Sequence, residues 1–248
     1  MKFYIGTWQP KHIERTSQPL MISYRWIKNR RKPIEQKAEL ALDSGGFTEI
    51  ATHGKWTISP EEYVSSIRRL IRDVNLKFNF IAPQDWMCEP EMIEKTGLSV
   101  KEHQRLTVEN YLYLKEIAPD LPIIPVVQGH TMNEYIQCCD LYKSKGIDLS
   151  SLPLIGVGSV CRREKTQEIS DILSWFSENG MKVHAFGVKK AGLINSRKNI
   201  FSADSMAWSV NARRDESLCQ HKHDCASSCR NCLNYALAWT KRIGGMTA

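Results

Sequence analysis

The chain has 248 residues, 42% of them hydrophobic and 25% charged, a make-up that provides a sizeable core and excludes a disordered or low-complexity protein. Its 34 Lys and Arg against 27 Asp and Glu give a formal net charge of +7, which favours a polyanionic partner such as nucleic acid over a neutral one. No run approaches the ~20 apolar residues that cross a membrane and Met1 to Gly6 lacks a signal-peptide core, so a cytoplasmic setting is expected. In that reducing setting the eight cysteines read as metal ligands or buried small side chains, not as a disulfide framework.

In chain order, β-rich runs fall at 2–7, 39–43, 78–82, 123–128, 152–157, 182–188 and 200–203. Between them, Ser59-Pro60-Glu61-Glu62 opens a helix, with a serine cap, proline at the first helical position and glutamate three residues after the cap. Ser99-Val100-Lys101-Glu102 opens another in the same way. Strands alternating with helices over this length predict a parallel sheet, best fitted by a (β/α)8 TIM-like barrel, with an open doubly wound sheet as runner-up. The eighth strand is unassigned, and the basic stretch 24–37 reads as an insertion. No linker divides the chain, so one barrel domain over 1–248 is expected, with 215–235 a zinc-binding segment inside it. Basic pairs and runs recur at Lys28-Asn29-Arg30-Arg31-Lys32, Arg68-Arg69, Arg162-Arg163, Lys189-Lys190 and Arg213-Arg214.

Four apolar runs end in polar residues: Leu42-Asp43-Ser44-Gly45-Gly46-Phe47, Phe80-Ile81-Ala82-Pro83-Gln84-Asp85, Val126-Val127-Gln128-Gly129 and Phe201-Ser202-Ala203-Asp204. In a parallel barrel the strand ends meet on one face, so Asp43, Asp85, Gln128 and Asp204 are expected in one mouth. A single strand-end aspartate caps a helix more often than it catalyses. Three together in a low-dielectric mouth acquire separated pKa values, which lets one remain a nucleophile while another moves protons.

Cys219, His221, His223, Cys225, Cys229 and Cys232 put six metal donors into fourteen residues. Thiolates at this reach close a tetrahedral zinc site, and Cys229-x-x-Cys232 has a knuckle spacing. The expected structural Zn2+ ligands are Cys219, Cys225, Cys229 and Cys232, with a Cys3His set using His221 or His223 as the close alternative and an iron–sulfur cluster as a further one. Cys88, Cys138, Cys139 and Cys161 are scattered and read as buried small side chains.

These motifs resemble those of the guanine transglycosylases, which exchange guanine for a 7-deazaguanine base in nucleic acid. Asp43-Ser44-Gly45-Gly46-Phe47 is similar to the family's Asp-Ser-Gly-Gly-aromatic motif, and Val126-Val127-Gln128-Gly129 to its Val-Gln-Gly motif. Leu154-Ile155-Gly156-Val157-Gly158 resembles its glycine-rich base-binding loop, and Ala185-Phe186-Gly187-Val188 its turn before the nucleophile strand. The resemblance implies a TIM-like barrel and a structural zinc near the C-terminus. It implies that Asp204 attacks C1′ of the target nucleoside and that Asp43 is the general acid/base. Asp85 would take the N1–H and exocyclic amine of the purine, while Gln128 and the amides from Gly156 to Gly158 hold its O6 edge. Phe47 and Phe186 would sandwich the base, with Ser44, Gly45 and Gly46 in the substrate-binding motif. Trp86, which matches no family position, is a further candidate wall because it stands next to Asp85.

The tRNA-modifying members differ in having a longer chain, a proline-containing loop after the nucleophile and an acid after the glycine-rich loop. This chain has Ser205-Met206-Ala207-Trp208-Ser209 and Ser159-Val160-Cys161-Arg162-Arg163 at those points. It looks more like the short DNA-modifying branch of phages and bacteria, the DpdA-type enzymes, which implies DNA and a free 7-deazaguanine base as partners and a bacterial or phage-infected cell as the setting. The other readings are tRNA base exchange, a sugar hydrolase using the same carboxylates, and a non-catalytic nucleic-acid-binding module.

Overall fold

The computed structural model describes residues 1–160, 166–188, 197–215, 218 and 229–242. Eight parallel strands form one curled, TIM-like sheet: β1 (Lys2–Thr7), β2 (Leu20–Ser23), β3 (Leu40–Asp43), β4 (Phe80–Ile81), β5 (Val126–Val127), β6 (Ile155–Val157), β7 (Val183–Ala185) and β8 (Ser202–Ser205). Their order is β4-β3-β2-β1-β8-β7-β6-β5. The two edges approach each other just before β5, where a parallel bridge joins Ile81 to Ile123. There the Ile81 amide donates to the Pro122 carbonyl at 2.9 Å and the Ile124 amide to Ile81 at 3.1 Å.

Alternation along each strand sorts the side chains into two cores. Phe3 and Ile5, Leu20 and Ile22, Leu40 and Leu42, Val183 and Ala185 point outward into the main hydrophobic layer beneath the helices. Tyr4, Met21, Ala41, Phe80 and Ile124 point inward, with Leu154 and Phe186 packed on them. Continuing the inward parity along each strand brings up Asp43 after Ala41, Ala82 after Phe80, Gln128 after Ile124 and Asp204 after Ser202. The polar strand ends therefore share one mouth because they share one face.

The helices are α1 (Tyr24–Ile27), α2 (Gly46–His53), α3 (Pro60–Val74), α4 (Pro90–Thr96), α5 (Val100–Ile117), α6 (Met132–Ser144), α7 (Thr166–Glu178), α8 (Ala207–Asn211) and α9 (Leu233–Arg242). Ser59 caps α3 and Ser99 caps α5, each serine accepting from the amide three residues on. Thr131 and Glu134 form a full capping box at α6. The missing eighth strand is β2. The stretch read as an insertion contains α1 and the return to β3, where the Arg69 guanidinium donates to the Arg30 carbonyl at 2.7 Å and to that of Lys28. Among the described residues no helix is long and apolar enough to cross a membrane.

Candidate active site

A cavity of about 690 Å³ opens at the C-terminal end of the strands, within the ordinary range for small-molecule sites. Asp43, Ser44, Gly46, Phe47, Asp85, Gln128, Gly158, Phe186 and Asp204 all line it. Tightly packed strands thus bring together nine of the eleven residues expected at the base and sugar; Gly45 and Gly156 lie behind the surface.

Asp204 ends the inward face of β8 and is held by one oxygen. Its Oδ1 accepts from the Gly187 amide at 2.9 Å and lies 3.3 Å from His184 Nε2. Gly187 has φ +62°, the left-handed conformation that favours glycine. Oδ2 has no hydrogen bond from the described residues.

Asp43 and Asp85 stand on the opposite side. Burial pushes Asp43 up to about 6, helped by the negative charge of Asp204, while hydrogen bonds from Ser23 and the Gly45 amide pull the other way. The Gly45 amide donates to Asp43 Oδ2 at 3.1 Å, so this acid also braces the turn into α2. Burial raises Asp85 further, to about 7, with Asp43 and Glu89 adding to the rise and its own amide and Gln128 opposing it.

Asp85 begins a buried polar chain. Gln128 Nε2 donates to Asp85 Oδ2 at 2.5 Å, and Ser44 Oγ lies 3.4 Å from Oδ1. Ser159 Oγ lies 2.6 Å from Gln128 Oε1 and 2.7 Å from Glu89 Oε2, and accepts from the Cys88 amide at 2.8 Å. The serine's one hydrogen is shared between two acceptors, which ties the cavity-lining amide of Gln128 to the Glu89 carboxylate. Ser159 is one of two described non-glycine residues at positive φ, +55°, a strained backbone of the kind that gathers at functional sites.

Two amides of the glycine-rich strand already have partners in the sheet. The Gly156 amide donates to Pro125 and the Gly158 amide to Val127, at 2.8 and 3.0 Å, so both are spent in the sheet ladder and neither is free for a purine O6. The glycines make room instead. A Cβ on Gly156 would stand 2.4 Å from the Phe186 ring, and one on Gly158 would stand 2.3 Å from Gln128 Nε2. Trp86 is not in the cavity wall; it packs on His103 and lines a separate groove with Trp56 and Tyr113.

His184 beneath the cavity was not marked by any sequence motif, nor were Glu89, Ser159, Met21, Met206 and Arg214 on its wall. His184 could have been found by parity, since Phe186 is inward and His184 lies two residues before it.

Of the expected zinc ligands, Cys219 and Cys225 lie outside the described residues, as do His221, His223 and Cys161. Cys229 and Cys232 are both buried on a 3-10 turn closed by the Cys232 amide donating to the Cys229 carbonyl at 3.0 Å. Among the described residues no group of three metal donors gathers. Cys88 and Cys138 are buried and Cys139 partly so, in line with the packing role expected of them.

No curated protein matches the chain. A family does: the match to DpdA, described as DeoxyPurine in DNA protein A, runs over residues 1–247. With carboxylates from β3, the β4 loop and β8 facing one cavity at the mouth of a TIM-like sheet, the chain belongs to the DpdA family, which implies a DNA-modifying transglycosylase with DNA as its substrate.

Proposed function

We propose that the protein exchanges guanine in DNA for a 7-deazaguanine, the 7-cyano form or a derivative, through a covalent link between Asp204 and the deoxyribose. The observation that carries this reading is the meeting of Asp43, Asp85 and Asp204 around one cavity walled by Phe47 and Phe186. Asp204 Oδ2 forms a bond to C1′ as the bond from C1′ to N9 breaks, and the electron pair leaves with guanine. Asp43, pushed up to about 6, is matched to giving a proton to the departing base and taking one from the incoming base. The incoming N9 then attacks C1′, and the carboxylate leaves. One glycosidic bond replaces another, so no external energy source enters.

Asp85, reached by Gln128 Nε2 at 2.5 Å, is the acceptor for the N1–H and amine of the purine. Those two donors stabilise its ionised form, so binding of the base opposes the rise that burial causes. Because C1′ is shielded in a stacked duplex, the target nucleotide enters flipped out or single-stranded. Arg214 at the cavity rim and the net charge of +7 favour the phosphates.

Cys219, Cys225, Cys229 and Cys232 make up a structural zinc site in this reading. The burial of Cys229 and Cys232 on one turn beside α8 supports it, since a C-x-x-C turn presents two thiolates to one ion. The zinc would brace the segment that follows the Asp204 strand and take no part in the chemistry.

The test is mass spectrometry of nucleosides after incubation with candidate bases and either DNA or tRNA. Incorporation into DNA supports the proposal; incorporation into tRNA alone, or release of guanine with no incorporation, contradicts it.

A further inference from the structure

We infer that His184 is a positioning residue that fixes the Asp204 carboxylate for attack and eases its later departure, an inference that rests on Asp204 being the nucleophile.

The position is unusual for a polar side chain. His184 is fully buried, with the rings of Phe80 and Phe186 each 4.7 Å away and Tyr4 5.8 Å away. A polar ring in such a floor is costly unless both nitrogens are bonded. Both are: Nδ1 lies 2.9 Å from Ser202 Oγ and Nε2 3.3 Å from Asp204 Oδ1. The register explains the reach, because His184 pairs with Ser202 across β7 and β8 and Asp204 is the next inward residue on β8.

The partners decide where the hydrogen sits. With a hydrogen on Nδ1 alone, the Nε2 lone pair would face a carboxylate oxygen. With the hydrogen on Nε2, that nitrogen donates to Asp204 while the Ser202 hydroxyl donates to Nδ1. In the imidazolium both nitrogens donate and Ser202 accepts. In each arrangement with favourable contacts Nε2–H points at Oδ1.

Oδ1 thus collects two donors, the Gly187 amide and His184, and the carboxylate plane is locked with Oδ2 as the oxygen left for C1′. When Oδ2 is esterified to the sugar, Oδ1 becomes the ester carbonyl and still accepts from both. When the incoming N9 displaces the carboxylate, the pair of electrons returns to a group already stabilised by them, as preorganised donors do at other oxyanions. Both half-reactions should therefore depend on His184, whereas holding the base and the DNA should not.

The experiment compares wild type, His184→Phe, His184→Gln and Ser202→Ala in single-turnover formation and resolution of the DNA adduct, with DNA affinity and the KM for base measured alongside. Loss of one charge-assisted hydrogen bond predicts that His184→Phe slows both steps by about 10- to 100-fold, with affinity and KM unchanged. The amide of His184→Gln should recover most of that rate, and Ser202→Ala should cost a smaller factor. A His184→Phe rate equal to wild type, or His184→Gln no faster than His184→Phe, would overturn the inference. Should the Phe variant not fold, Ser202→Ala decides: wild-type adduct kinetics in it would overturn the inference. Full exchange by Asp204→Asn in the same series would instead overturn the nucleophile assignment beneath it.

Discussion

The two sides of the mouth treat the same residue type in opposite ways. On the β7–β8 side Asp204 is tied by a single oxygen to an amide and an imidazole, which orients the group while the other oxygen takes no hydrogen bond from the described residues. On the β3–β4 side burial pushes Asp43 and Asp85 up to about 6 and about 7, with the charge of Asp204 adding to the rise at Asp43 and those of Asp43 and Glu89 to the rise at Asp85. In the proposed exchange, the carboxylate that attacks is the one held in place, and the carboxylates that trade protons or meet N–H donors are the ones raised towards neutral pH. Surroundings, not residue type, divide the labour.

The most severe way to break this division is Asp204→Asn, expected to cost roughly 10⁴-fold or more in exchange while DNA binding in a mobility-shift assay persists. Asp43→Asn should come next, with ~10²- to 10⁴-fold slowing of both base release and base capture in single-turnover kinetics. Asp85→Asn should act mainly on base recognition, raising the KM for the incoming base by about 10- to 100-fold, because a lost charged acceptor leaves purine donors unpaired.

The raised pair also sharpens the comparison through pH. In the folded protein both carboxyls keep protons that the unfolded chain, at 3.8, has already released. Their contribution to stability is therefore fully present below pH ~4, falls as pH climbs through about 6 and about 7, and is lowest above that. Asp85→Asn should raise Tm at pH 8 and lose that advantage at pH ~4, read by thermal melts across the range. In activity, the step needing protonated Asp43 should fade above about 6 while base capture on ionised Asp85 gains towards about 7, giving a narrow bell in the rate of guanine exchange. The smallest effect is at Gly158→Ala. Its new Cβ meets the Gln128 amide, which can shift only by loosening its hold on Asp85, so a modest rise in KM for base is expected with DNA affinity unchanged.

Much of this site was legible because parity is a sequence property. Asp43, Gln128 and Asp204 follow inward positions by two-residue steps, and apolar runs reveal where each strand lies. What was not legible depended on partners far away in the chain. Leu20-Met21-Ile22-Ser23 is too short, between Pro19 and α1, to display alternation, and it becomes a strand only by pairing with β1 and β3. The amides of Gly156 and Gly158 read as free donors until the neighbouring strand claimed them. Parity places His184 on the inward face, but its partner Ser202 comes from cross-strand register, and Ser159 and Glu89 meet through a loop contact across seventy positions, neither of which leaves a local pattern.

Whether Asp204 bonds to the deoxyribose is read by mass-spectrometric peptide mapping of protein quenched with guanine-containing DNA before any incoming base is added. A deoxyribose-linked DNA adduct should appear on the peptide containing Asp204 and disappear when a 7-deazaguanine is supplied. Guanine release with no adduct, or an adduct carried by Asp43 in place of Asp204, would contradict the proposed covalent link.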